Sequence, residues 1–289
     1  MINKLKEFIY LGRFNSPTGA LLLAYPCLWG IALSKPSIID LIIYTFIFLL
    51  GSFCMRAAGC AWNDIVDREI DKQVSRTKNR PIASGKISIK EGLIFILINC
   101  LIGLVILFSL PFNAILIALF SILLVIIYPL TKRITYFPQI WLGITFNIGL
   151  LIGFTALNVN FPQIYIYLMY LGAIFWTVAY DTIYAIQDYE DDLKLNIKST
   201  TIKMKSYSGA FSSICYIFFI LIFCSGLLIG EYGLMSIFPI MTVGIWQAYD
   251  AFRSKVENIS KAKKHFLYQN LTGLIIWISI IYDSKFLQH

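Results

Sequence analysis

The chain has 289 residues, 58% of them hydrophobic and 14% charged, with a mean hydropathy of +0.73 and a formal net charge of +8. Soluble domains carry roughly a quarter charged residues, and the apolar residues here recur in runs of about 20, the length that crosses a hydrocarbon core. This excludes a soluble enzyme, a disordered chain and a secreted disulfide scaffold, and leaves an all-α polytopic membrane helical bundle.

In chain order, residues 1–15 read as a short basic, amphipathic lead-in rather than a cleavable leader. Nine apolar spans follow, at about 17–34, 38–62, 91–110, 113–131, 138–157, 162–187, 208–229, 232–253 and 268–284. Pro36, Pro111, Pro138, Pro162 and Gly230 with Gly233 punctuate the joins. No connection is long enough for a soluble domain, so residues 1–289 are expected to form one transmembrane domain. All but Lys35, Arg56 and Lys285 of the 24 Lys and Arg fall in the lead-in or in the loops after spans 2, 4, 6 and 8. That asymmetry predicts a cytoplasmic N-terminus and an external C-terminus. It also explains the positive charge by topology and anionic lipid, with no nucleic-acid partner. The basic stretch 253–265 reads as a surface loop or short interfacial helix. The six cysteines stand singly in apolar segments, and His265 and His289, the two histidines, lie outside the spans, so haem and zinc lack ligands.

Nine of the 16 carboxylates gather at two predicted cytoplasmic span ends. The first group is Asn63-Asp64-Ile65-Val66-Asp67-Arg68-Glu69-Ile70-Asp71, after span 2. The second is Asp188-Tyr189-Glu190-Asp191-Asp192, after span 6, with Asp181 two turns earlier. On a helix Asn63, Asp67 and Asp71 share one face, and Asp188 and Asp192 repeat the i, i+4 spacing. Like charges one turn apart repel, and acids at a helix C-terminus oppose its dipole, so a purely structural acidic rim is disfavoured. Hard oxygen ligands without His or Cys suit Mg²⁺, which prefers a few carboxylates plus phosphate oxygens to an all-protein cage. Two carboxylate pairs at a membrane surface therefore suggest a diphosphate held between metal ions. Arg68, Lys72, Arg76, Arg80, Lys132, Arg133 and Lys198 stand between and after the acids, as phosphate contacts or as cytoplasmic topology markers. Arg56 lies seven residues before Asn63, on the same face and about 10 Å deeper. An arginine inside a span is expected to line the cavity and meet an anionic group. A transporter is the rival reading, but its carboxylates would lie nearer the bilayer midplane.

These residues carry a resemblance. The first acidic group, entered from Arg56-Ala57-Ala58-Gly59 and continued by Arg76-Thr77-Lys78-Asn79-Arg80-Pro81, resembles the first aspartate-rich motif of UbiA-type intramembrane prenyltransferases. Tyr180-Asp181-Thr182-Ile183-Tyr184 running into Gln187-Asp188-Tyr189-Glu190-Asp191-Asp192, then Lys198-Ser199-Thr200, resembles the second. Its form, with Tyr128-Pro129-Leu130-Thr131-Lys132-Arg133 and Phe137-Pro138-Gln139, is similar to that of the 4-hydroxybenzoate polyprenyltransferases of ubiquinone synthesis. Two departures stand out: Arg13-Phe14-Asn15-Ser16-Pro17-Thr18-Gly19 lacks two charges usual in that segment, and Asn196 stands where glycine is usual.

The resemblance implies a Mg²⁺-dependent enzyme of the bacterial inner membrane, with its active site facing the cytoplasm. Its substrates would be a polyprenyl diphosphate and 4-hydroxybenzoate; naphthoate, homogentisate or haem remain alternative acceptors. Asn63, Asp67, Asp71, Asp188 and Asp192 would hold two Mg²⁺ and, through them, the diphosphate. Asp191 or Asp192 would assist removal of the ring proton. Arg68, Lys72 and Lys198 would face the leaving pyrophosphate, and Arg56 or Arg133 the benzoate carboxylate. Asp64, Asp181 and Tyr184, inside the two motifs, are expected to line the substrates.

Overall fold

A computed structural model describes residues 2–158 and 160–286; His289 lies outside the described residues, as do the side chains of Lys132 and Lys285. Among the described residues the regular structure is all helical. The long helices are α1 (Thr18–Leu33), α2 (Ile38–Val66), α3 (Ile89–Phe108), α4 (Phe112–Ile134), α5 (Pro138–Thr155), α6 (Ile164–Tyr184), α7 (Ser208–Ile229), α8 (Leu234–Phe252) and α9 (Ile259–Phe286). Their starts carry local signals. The Ser37 hydroxyl accepts from the Asp40 N–H, Ser88 and Glu91 form a reciprocal capping box, and Pro138 opens α5 where its missing N–H costs nothing. Six of the helices, α2 to α7, are long and apolar enough to cross a membrane. Helix α1 is apolar but only 16 residues long.

In the most apolar stretch of α5, 72% of residues are buried, against 17% in α3, so α5 belongs to the bundle interior, as does α1, and α3 is an outer wall. Helices α4, α5, α6, α7, α8, α9, α1 and α2 pack in that sequence around the bundle, α5 also packs directly on α1, and α3 lies on the outside of α2. Lipid tails are as apolar as leucine, so such helices gain from close approach rather than from exclusion of water. The α1–α5 seam uses glycine for this. A Cβ on Gly153 would lie 2.1 Å from the Cys27 carbonyl oxygen, and one on Gly30 would lie 2.1 Å from that of Leu150. Only glycine permits that contact.

Two sequence expectations need correction. Helix α2 runs past residue 62 to Val66, carrying Asn63 and Asp64 inside the helix. Helix α9 begins at Ile259, so the stretch 253–265 is a short turn followed by the first turns of α9 rather than a separate surface element. Its lysines masked the pattern: Lys263 and Lys264 are exposed, while Ala262, His265 and Gln269 on the opposite face are fully buried.

Candidate active site

The first acidic segment stands where α2 breaks. Asp67 leaves helical geometry (φ −94°, ψ 8°), and a four-residue helix, Arg68–Asp71, follows. All three aspartates are buried, Asp64 and Asp67 at 1% exposure and Asp71 at 6%. They do not act as one row. Arg13 grips both oxygens of Asp64 at 2.8 Å, and Arg80 bridges Asp64 (3.1 Å) to Asp71 (2.9 Å). Asp67 faces a different cation, Arg133 of α4, at 3.6 Å; Arg133 also donates to the Val66 carbonyl at the end of α2. The single face expected of Asn63, Asp67 and Asp71 is thus split, because the break at Asp67 lets Asp71 join Asp64. Burial pushes the Asp71 carboxyl above the ordinary carboxylate range, Arg80 opposing this and the Asp64 charge adding to it.

The second segment unwinds at the end of α6 into a 3₁₀ turn, Ala185–Asp188, and a short helix, Tyr189–Lys194. The loop after α2 reaches across to it. Arg76 clasps both oxygens of Asp188 at 2.6 and 2.5 Å, and the Ser75 N–H donates to Asp191 at 2.9 Å. Asp192 is half-buried on the same short helix. Asn196 closes that helix in the left-handed region (φ 53°), which asparagine tolerates.

Below these segments lies Arg56. Its guanidinium stands 5.5 Å from the Phe146 ring centroid and packs on Gly19, where a Cβ would sit 2.8 Å from Nε. Tyr128, Tyr180, Tyr184 and Asp181 lie within its electrostatic reach. Among the described residues, the buried polar atoms without a hydrogen-bond partner include Arg56 Nε, Tyr180 Oη and Asn63 Oδ1 here, with Trp62 Nε1 and Arg68 Nε nearby in the first motif. Each such atom costs about 1–3 kcal/mol if nothing meets it. Their clustering among the motif residues marks a place for a polar ligand.

Other predicted contacts point elsewhere. Lys72 pairs with exposed Glu69 at 2.7 Å, and Arg68 lies 3.9 Å from the same carboxylate. Lys198 donates to the Ile134 carbonyl at 3.0 Å and lies over the Tyr136 ring. Sequence reading assigned no role to Arg13 or Ser75 and treated Arg76 and Arg80 as part of a general basic set. Gln139, quoted above only as part of the resemblance, accepts through its amide oxygen from both N and Oγ1 of Thr200 (3.1 and 2.7 Å), tying the start of α5 to the loop after α6.

A model of the UbiA prenyltransferase family matches residues 23–272. The chain belongs to that family. A 4-hydroxybenzoate octaprenyltransferase from Marinomonas sp. (strain MWYL1) is 36% identical over 97% of this chain and 98% of its own length. One from Neisseria meningitidis serogroup B is 35% identical over 98% and 95%. The UbiA fold is found in an apo UbiA homolog from Aeropyrum pernix K1, which has a TM-score of 0.75 at 22% identity over 91% of this chain and 97% of its own. It is also found in a UbiA homolog from Archaeoglobus fulgidus solved with GPP and Mg²⁺, with a TM-score of 0.68 at 16% identity over 96% and 99%. Among the described residues no three His, Cys, Asp or Glu side chains form a ready metal cage. The donor set still suits a hard cation that completes its shell with phosphate: Asn63 Oδ1 lacks a partner one turn before buried Asp67, and no sulfur or imidazole stands among the acids.

Proposed function

We propose that the chain transfers a polyprenyl group from polyprenyl diphosphate to the ring carbon ortho to the hydroxyl of 4-hydroxybenzoate, forming 3-polyprenyl-4-hydroxybenzoate for ubiquinone biosynthesis. The observation that carries this reading is the closure of the two aspartate-rich segments by Arg76 and Ser75 near an arginine whose Nε is buried and unpartnered. Asn63, Asp67 and Asp71 on one side, with Asp188 and Asp192 on the other, are the residues that would hold Mg²⁺. When bound, Mg²⁺ neutralises the diphosphate charge and favours its departure. Arg133 and Arg76, which lie beside Asp67 and Asp188, would meet phosphate oxygens.

As the bond between the prenyl carbon and diphosphate oxygen breaks, the allylic carbon is attacked by the ring carbon ortho to the phenol. That ring carbon then gives its proton to a carboxylate, Asp191 or Asp192. Arg56 is the group for the benzoate carboxylate, and Asp181, Tyr180 and Tyr184 frame the ring. The apolar tail would enter laterally between α2 and α4, which meet only sparsely. The same reading has all nine long helices cross a bacterial inner membrane as one domain, with the N-terminus and the site on the cytoplasmic side.

The test is product formation by membranes containing the chain, supplied with 4-hydroxybenzoate and a long polyprenyl diphosphate, with and without Mg²⁺. A Mg²⁺-dependent product of the prenylated mass is expected. Turnover only with another aromatic acceptor would overturn the acceptor assignment, and silence with every acceptor would overturn the reaction.

A further inference from the structure

Helices α6 to α9 share a polar chain built from residues outside both motifs. Asp250 Oδ2 is 2.7 Å from His265 Nδ1, and His265 Nε2 is 2.8 Å from the Tyr216 hydroxyl. An ionised carboxylate can only accept, so Nδ1 carries a proton and the ring orientation is fixed from both ends. Lys261 Nζ lies 3.5 Å from the other Asp250 oxygen. One turn further along α9, the Gln269 amide accepts from Trp176 Nε1 at 2.8 Å and donates to Gln247 at 2.9 Å, and Gln247 donates to Thr272 at 2.8 Å. Tyr216, His265, Gln269, Gln247, Thr272 and Trp176 are all 0% exposed. Satisfied networks of this kind, joining α6, α7, α8 and α9, specify one register, because any slip strands several buried polar groups at once.

That register sets the place of the next residue, Phe266. Its ring centroid lies 4.1 Å from that of Tyr184 and 6.0 Å from that of Tyr180. Arg76 lies 5.8 Å from the Tyr184 ring centroid with its guanidinium on both oxygens of Asp188. A continuous path of contacts therefore runs from His265 through α9 to Phe266, Tyr184, Arg76 and Asp188. We propose that His265 and Phe266 are positioning residues for the diphosphate site: the Asp250–His265–Tyr216 chain fixes α9, α9 holds Phe266 on Tyr184, and Tyr184 seats the arginine that aligns Asp188. The inference rests on the reading of Asp188 as a diphosphate-side carboxylate.

The test uses the full chain in detergent, with geranyl diphosphate plus Mg²⁺ as the binding probe and the thermal midpoint recorded alongside. Phe266→Leu keeps apolar volume but removes the ring, and is expected to weaken probe binding about tenfold, the scale of one lost aromatic or cation–π contact in a dry site, with little change in midpoint. Phe266→Tyr keeps the ring and is expected to restore binding to within about twofold. In an Arg76→Ala background, Phe266→Leu should add little, because its effect passes through Arg76. His265→Ala should weaken both binding and fold, and His265→Asn, which keeps a donor toward Asp250, should recover part of each. Unchanged binding in folded Phe266→Leu, or an effect that adds fully to that of Arg76→Ala, overturns the positioning role alone. Wild-type protein that does not bind the probe, or binds it equally well as Asp188→Ala, overturns the diphosphate reading and the inference with it.

Discussion

At the end of α2 the aspartates are sealed into the protein, with Asp64 and Asp67 at 1% exposure and Arg13, Arg80 and Arg133 packed against the group. At the end of α6, Asp188, Asp191 and Asp192 are half-buried, and the partners of Asp188 and Asp191, Arg76 and Ser75, come from an exposed loop. The first cluster is part of the fold, since its cations arrive on the lead-in, on α4 and on the loop after α2, and removing one leaves buried charge behind. The second is completed by contacts that local opening can release, as segments held by few exposed contacts do. One half of the site is thus built in advance, and the other half is closed over it.

The comparison breaks first at the chemistry, where the two clusters are expected to be equally necessary. Asp67→Ala and Asp188→Ala should each abolish product formation in membranes while leaving the protein inserted, read by mass detection of the prenylated acceptor beside an expression blot. Substantial turnover by either variant would remove that half from the site.

The sharper contrast comes from two arginines that carry the same charge. Arg80→Ala strips the arginine from buried Asp71, while Arg13 still holds Asp64. Breaking such a pair costs on the order of 3 kcal/mol, so its thermal midpoint should fall by several degrees. Arg76→Ala removes a half-exposed pair, so its midpoint should stay near wild type while turnover falls about 100-fold from loss of loop closure. Midpoints and initial rates on the two purified variants decide this; equal destabilisation by both would show that the clusters are built alike.

Much of this was legible in the sequence. Runs of apolar residues gave each long helix its place, since length and hydropathy are local properties, and the aspartate spacings marked both ends of the site. What escaped were consequences of tertiary contact. Asp64 reads as another substrate ligand until Arg13, 51 residues away, is seen on both of its oxygens. His265 was hidden because the lysines around it carry the local pattern, while its own buried face is defined by Tyr216 and Asp250 on other helices. The α1–α5 seam rests on glycines whose meaning appears only when two backbones touch.

The smallest expected effect concerns Lys72. Its position among the acids suggested contact with pyrophosphate, but its ammonium sits on Glu69 with both side chains largely in water. Glu69 is held below the ordinary carboxylate range chiefly by that hydrogen bond, so the lysine already has a local partner. An exposed pair of this kind is screened by salt and does little for either fold or site. Lys72→Ala should therefore keep turnover within about twofold of wild type, whereas Arg133→Ala, which strips the cation beside buried Asp67, should lose at least tenfold. Rates at low and moderate salt distinguish the two. A tenfold loss in Lys72→Ala would mean that this side chain leaves Glu69 and swings into the site when substrate binds, and that the first cluster also closes by movement.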